Sequence, residues 1–253
     1  MEPGRRPILL FALAAAALGV AIAWLAPASL LDSRIARATA GIVRLASTQG
    51  TLWNGRGIVT TANTQVPVAW NVDPWSLARG LVHMQVRSDT GMDTPRATID
   101  LRADGIVLQN TDVTVPAAAI ASAWGNMAAS SVEGEVSASA SNLRLTPGAN
   151  SGEARLVWHN ARIGPVVNMP PIELGEVRAG LVANGATMSG PVDGQGRSLA
   201  LRGDWTLKEK DAFTLALRVI PTPAADPGLV RWLTSVGQPD GDAWRIEWRL
   251  PLR

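Results

Sequence analysis

Two hydrophobic patterns divide the chain. Residues 8–26 form one unbroken apolar run, Ile-Leu-Leu-Phe-Ala-Leu-Ala-Ala-Ala-Ala-Leu-Gly-Val-Ala-Ile-Ala-Trp-Leu-Ala, with no charged side chain. Beyond residue 41 the period falls to 2, and apolar and polar positions alternate almost to the end. A hydrocarbon layer about 30 Å thick takes roughly 20 helical residues to cross, so the run predicts a transmembrane helix. Its backbone groups would all be bonded within the helix, as lipid requires. Ile8 opens the run, Leu18 lies within it and Trp24 stands near its far end, where an indole favours the headgroup region. Arg5 and Arg6 precede it, and the positive-inside rule then keeps residues 1–7 in the cytoplasm and sends residues 27–253 across. The rival reading is a cleaved signal peptide, with Ala21-Ile22-Ala23 or Ala26-Pro27-Ala28 as cleavage sites. Secretory apolar cores run about 7–15 residues, shorter than this one, which favours the uncleaved anchor. Both readings export the remainder.

The alternation predicts antiparallel sheet with one wet face. Val66, Val68, Trp70 and Val72 share one face. Val82, Met84 and Val86 oppose His83, Gln85 and Arg87, and Ala97, Ile99 and Leu101 oppose Arg96, Thr98, Asp100 and Arg102. The pattern is clearest over residues 199–207 and recurs in Phe213, Leu215, Leu217 and Val219, then in Trp244, Ile246, Trp248 and Leu250. Turn signals separate the runs: Asn54-Gly55, Asp104-Gly105, Pro147-Gly148, Asn184-Gly185, Asp193-Gly194 and Asp240-Gly241. The glycine-rich stretch Gly190-Pro191-Val192-Asp193-Gly194-Gln195-Gly196 precedes a strand and is expected to be a turn. The fold class is therefore mainly β: a transmembrane helix followed by an antiparallel sheet domain outside the cytoplasm, with a few short helices.

Four helical interruptions are expected. Residues 29–38 place Leu30, Leu31 and Ile35 at helical spacing with Arg34 and Arg37 opposite, which fits a helix on the membrane surface or one packed on the folded domain. Asp73-Pro74 opens a turn that Gly80 closes, and Asp226-Pro227 opens another that Gly237 closes. Residues 116–129 are alanine-rich, with Ile120 and Trp124 four apart. Two β-rich halves meet near residues 147–152, read as a loop in preference to a linker. Pro170-Pro171 blocks ladder pairing and suits an edge.

Composition narrows the chemistry. The 253 residues are 47% hydrophobic, enough for a sizeable core, and a net charge of +2 gives no case for nucleic acid. With no cysteine there is neither a disulfide framework nor a thiolate metal site. The two histidines, His83 and His159, sit on wet sides of strands with no oriented partner in view, so a nucleophile activated by a base is not expected. Gly-x-Ser-x-Gly, His-Glu-x-x-His and Gly-Lys-Ser/Thr motifs do not occur. Glu133 and Glu135 share a strand face but read as solvated surface. No catalytic residue, metal, cofactor or small-molecule substrate is expected. Binding is the better prospect: a sheet edge can add a strand, and Trp53 and Trp75 are either exposed anchors or plugs at the ends of the sheet.

Gly50-Thr51-Leu52-Trp53-Asn54-Gly55-Arg56-Gly57 resembles the opening signature of the type II secretion system protein N family. Trp70-Asn71-Val72-Asp73-Pro74-Trp75, running on to Gly80-Leu81, looks like its next hallmark: an aromatic strand, a proline-led turn and a Gly-Leu return strand. Arg202-Gly203-Asp204-Trp205 and residues 237–250 are similar to its C-terminal half. The residues that carry the resemblance are Gly50, Trp53, Gly55, Trp70, Pro74, Gly80, Gly203 and Trp205. It implies a non-enzymatic, single-pass inner-membrane protein with a periplasmic β domain. Its implied role is accessory, in the machine that moves folded periplasmic proteins across the outer membrane, with other secretion subunits and inner-membrane lipids as partners. In the motif itself, Asn54-Gly55 is expected to supply the positive φ of a tight hairpin, with Trp53 packed over it. The alternative function is lipid handling by an AsmA-like β-groove, in which Leu201, Trp205, Leu215 and Leu217 would line an open channel instead of a closed core. A periplasmic hydrolase is a third possibility, but it lacks a catalytic constellation.

Overall fold

The computed structural model describes residues 25–38, 41, 43–61, 64–88, 96–123, 132–164 and 171–251. The predicted anchor lies outside them except for Leu25 and Ala26, so Arg5, Arg6, Ile8, Leu18 and Trp24 receive no structural account. Among the described residues no helix is long and apolar enough to cross a membrane.

Helix α1 (Ser29–Ala38) leads into β1 (Arg44–Gly50), β2 (Asn54–Thr61) and β3 (Thr64–Asp73). A 3-10 helix (Pro74–Arg79) then precedes β4 (Leu81–Ser88), β5 (Arg96–Arg102) and β6 (Gly105–Pro116). After α2 (Ala117–Ala123) come β7 (Val132–Leu145), β8 (Asn150–Ile163), β9 (Ile172–Gly185), β10 (Thr187–Gln195), β11 (Leu199–Lys208) and β12 (Ala212–Pro221). Helix α3 (Pro227–Val236), β13 (Gln238–Asp240) and β14 (Ala243–Pro251) close the chain. All the strands belong to one 14-stranded sheet in near-perfect chain order, inverted only at its last pair, β12-β14-β13. Every pairing is antiparallel. Consecutive hairpins are the cheapest way to build such a sheet, because each strand finds its partner after a short loop.

Register turns the alternation into two distinct faces. Gly55, Trp70, Val86 and Ala97 stand opposite one another across β2–β5, and Trp205, Leu215 and Trp248 across β11, β12 and β14. Following those pairs from strand to strand gives one apolar face across the whole sheet and one polar face behind it. The polar face carries cross-strand ion pairs such as Arg162–Glu133 at 3.3 Å and His159–Glu176 at 3.3 Å. Glu135 stands opposite His159, so neither glutamate of the acidic pair is isolated on its strand.

Three clusters bury the apolar face in part. Helix α1 covers β1–β4 through Leu31 and Ile35, over Leu45, Trp70 and Val72. The reading of α1 as a helix packed on the domain is the one realised, and Asp32 fastens it. Its carboxylate accepts from the Leu45 N–H at 2.9 Å and from Arg44 at 3.1 Å. Helix α3 covers the other end, where Leu229 and Leu233 are 2% and 0% exposed against Leu199, Val219 and Ile246. Asp226 accepts from the Gly228 N–H at 2.6 Å, so the Asp-Pro start was legible in the sequence, whereas Gly237 ends the helix in an extended conformation. A third cluster, Ala140, Leu143 and Ala183, fills the middle.

One predicted turn in this half of the chain is strand instead. Residues 190–196 are not a glycine-rich turn: β10 runs through Gly190, Asp193 and Gly194. A Cβ at Gly194 would lie 3.0 Å from Val177 and 3.2 Å from Leu201, so this glycine gives those side chains room. The turn falls after it, at residues 196–198. Residues 147–152 hold the β7–β8 hairpin loop, where Gly148 takes φ 77 and Glu209 accepts from its N–H at 2.7 Å. The alanine-rich helix is described to Ala123 only, so Trp124 lies outside the described residues, as do residues 165–170.

Removing the Leu233 side chain opens a cavity beneath α3. Leu233→Ala is expected to cost about 2–5 kcal/mol in denaturant unfolding, whereas Val236→Ala, at an exposed position, costs well under that. Equal effects would show that α3 is not packed as described. A second expectation concerns pH. The hydrogen bond from Arg44, followed by the Leu45 N–H, holds the Asp32 carboxyl below the usual carboxylate range. The stability it contributes is therefore present above that range and disappears as pH falls through the lowered pKa. Asp32→Asn should speed amide exchange in α1 at neutral pH and make no difference in acid, where Asp32 is itself protonated; an effect independent of pH would rule out the ion pair as the tether.

Candidate functional site

Six of the eight family-like residues meet at one corner of the sheet. Gly50 pairs with Gly55, and Gly55 stands opposite Trp70 on the apolar face. A Cβ at Gly55 would fall 2.5 Å from the Trp70 ring, so glycine is required because the indole lies across the strand there. The indole N–H donates to the Leu52 carbonyl at 3.2 Å, and the Val72 N–H donates to the Trp53 carbonyl at 2.6 Å. This corrects the expected turn. Gly55 is an extended strand residue, the positive φ belongs to Gly50 at 91°, and the ring over Gly55 is Trp70, not Trp53. Trp53 packs against the cluster under α1, as a plug, while Trp75 is 75% exposed. Pro74 starts the 3-10 helix, Asp73 accepts from the Trp75 N–H at 3.0 Å, and Gly80 closes it at φ 72.

Gly203 and Trp205 lie apart from that corner, on β11. A Cβ at Gly203 would collide with the Ala216 carbonyl of β12. Trp205 crosses β10 over its register partner Gly190 and donates to the Gly180 carbonyl at 2.9 Å. Its ring stacks on Phe213 at 6.4 Å between centroids. The motif residues thus shape strand packing and do not converge on a reactive centre.

His83 is not a lone solvated histidine, contrary to expectation. Its Nδ1 lies 2.6 Å from the buried Asp100 carboxylate, whose other oxygen accepts from Gln109 at 2.8 Å. The two stand directly opposite on β4 and β5. Reading those runs as one hairpin would have revealed the pair. Ser76 lies beside it, fully buried, but its hydroxyl donates to the Asp73 carbonyl and accepts from the His83 backbone N–H at 2.9 Å. The serine is therefore engaged by backbone and not held by the imidazole, as nucleophilic catalysis would need. Among the described residues no cluster of three or more His, Cys, Asp or Glu side chains could hold a metal. On the polar face of the first strands, Gln49, Arg56, Asn71, Gln85, Arg87 and Arg96 line an open cleft of about 1100 Å³.

The apolar face offers the larger feature. Leu201 and Leu217 pack on the cluster under α3, but Trp205 and Leu215 lie outside it and are half-buried. Farther along the same face, Trp248 and Leu250 are 49% and 60% exposed. Leu101, Ile106 and Leu156, also on this face, are exposed in the middle of the sheet. The face is covered at some places and open at others.

The described residues thus form one antiparallel meander whose distinctive residues set strand packing. The chain belongs to the type II secretion system (T2SS) protein N family, whose model matches residues 42–246. No curated protein and no solved structure matches it.

If the corner is structural, its buried ring matters and its exposed one does not. Trp70→Ala is expected to cost about 3–5 kcal/mol in urea unfolding. Trp75→Ala should change stability by less than about 0.5 kcal/mol. A large loss at Trp75 would mean that the 3-10 helix is packed more deeply than its exposure indicates.

Proposed function

We propose that the chain is a non-enzymatic accessory subunit of the type II secretion system. It is anchored in the inner membrane by residues 8–26, with its sheet in the periplasm, and it supports export of folded proteins through contacts with other subunits. Family membership supports the secretion role. The observation that carries the contact role is the open part of the apolar face at Trp248 and Leu250, beside the half-buried Trp205 and Leu215. Exposed apolar patches of this kind mark interaction sites.

A second reading, lipid handling, is favoured by one observation: Leu101, Ile106 and Leu156 are also exposed on this face, in the middle of the sheet. Apolar positions left open there suit an acyl chain as well as a protein.

Photo-crosslinking residues placed at Leu156 and Trp248 separate the two in cells. Crosslinks to secretion subunits, with exported enzymes retained in the periplasm when the gene is deleted, are the result expected. Crosslinks to phospholipid, with export unchanged and envelope lipids altered, would replace the first reading with the second. Crosslinks to neither class would leave the open face without the role assigned to it.

A further inference from the structure

The last strand has an edge that no described residue covers. β13 covers β14 only through Gln238–Arg245, Pro239–Trp244 and Asp240–Ala243. Residues 247–251 pair with β12 on one side and with no described residue on the other. In an antiparallel ladder, successive residues turn their N–H and C=O groups to opposite sides. The hairpin through Gly241, at φ 65, turns Ala243 and Arg245 toward β13. Continuing that alternation, Glu247 and Arg249 direct their backbone groups outward. The first edge of the sheet is treated differently. There the Ala28 N–H donates to Gly50 at 3.2 Å, the Leu52 N–H to Ala26 at 2.8 Å, and the Leu45 N–H to Asp32 at 2.9 Å.

An open edge accepts another extended backbone, and its side chains define which one. We propose that residues 247–249 pair with the same stretch of a second copy of the chain, antiparallel, about a two-fold axis through Trp248. In that register Glu247 faces the partner's Arg249 and Arg249 faces the partner's Glu247. Both are outward-directed residues, so each pair exchanges two backbone bonds. Trp248 meets the partner's Trp248 on the apolar face, and the exposed Leu250 approaches the partner's Ile246. Sliding the register by one pair in either direction sets Glu247 against Glu247 or Arg249 against Arg249. Only the register centred on Trp248 matches opposite charges, and like charges directly opposite are unfavourable.

Within one chain Glu247 pairs with Arg245 at 2.7 Å and Arg249 with Asp211 at 3.3 Å. All four side chains are more than half exposed, so these pairs contribute little and re-form at small cost. The stretch begins where the family match ends, at residue 246, so the inference stands apart from the secretion reading.

The chain contains no cysteine, which makes a single introduced one informative. At a non-hydrogen-bonded antiparallel pair the Cα atoms are about 4.5 Å apart, within the roughly 4.4–6.8 Å that a disulfide spans. Trp248→Cys in the full 253-residue chain should therefore give a covalent dimer on mild oxidation. Leu250→Cys should not, because its two copies are four residues out of step, more than about 13 Å apart. Independently, Glu247→Arg should weaken self-association about tenfold in sedimentation, since two cross-strand pairs turn from attraction to repulsion. The double variant Glu247→Arg with Arg249→Glu should restore it. Equal disulfide yield at positions 248 and 250, or association indifferent to the charge swap, would each overturn the proposal.

Discussion

The structure depends on a mismatch between the width of its apolar face and the means of covering it. Strands lie about 4.8 Å apart, so fourteen of them make a sheet roughly 60 Å wide. Helices α1 and α3 have 10 residues each, about 15 Å of helix, and α2 has 7. No arrangement of three such helices shields the whole face from water. The consequence is visible in where burial falls. Leu45, Trp70 and Val72 are buried under α1, and Leu229 and Leu233 bury the sheet under α3. Trp248 and Leu250, only two and four residues beyond the buried Ile246, are open. At about 25 cal/mol per Å² of apolar surface, an uncovered strip is a standing gain for whatever binds it.

Glycine placement shows how the covered regions reach close packing. Where Trp70 crosses its neighbouring strand, that strand carries Gly55 beneath the ring; opposite Trp205 stands Gly190, where a Cβ would collide with the Gly180 backbone. Both indole N–H groups then reach backbone carbonyls, Leu52 and Gly180, so the ring buries area without orphaning its donor. The two family-like tryptophans thus anchor strand packing at separate places in the sheet, each with its donor bonded. Their value is geometric, and they bring no reactive group to the surface.

Much of this was legible in the sequence because strand alternation is a local property. The apolar set Trp244, Ile246, Trp248 and Leu250 falls on one face as predicted, and the Asp-Pro starts at Asp73 and Asp226 are realised. What failed was non-local. Asp193-Gly194 carries the composition of a turn but lies mid-strand, because Val177 and Leu201 from adjacent strands occupy the space a side chain would need. Asn54-Gly55 misled for the same reason, its glycine being demanded by Trp70 rather than by backbone torsion. The His83–Asp100 pair needed register, which neither strand specifies alone. The open state of the face depends on helix lengths relative to sheet width, and no single segment reports that.

A sheet of this width has one internal remedy for uncovered apolar surface, which is to close into a barrel and make the face its interior. The first edge works against it. Residues 26–28 and the Asp32 carboxylate engage the Leu45 N–H, the Gly50 carbonyl and the Leu52 N–H, and the register slips between Ala46 and Gln49, with Ser47 at φ 51. β13 is three exposed residues with a central proline, and it blocks the opposite edge beside Ala243 to Arg245. With that edge so engaged, no described strand pairs with the outer side of residues 247–251 of β14. Among the described residues the apolar face is left partly uncovered, and that surface is offered to whatever segment or molecule packs on it.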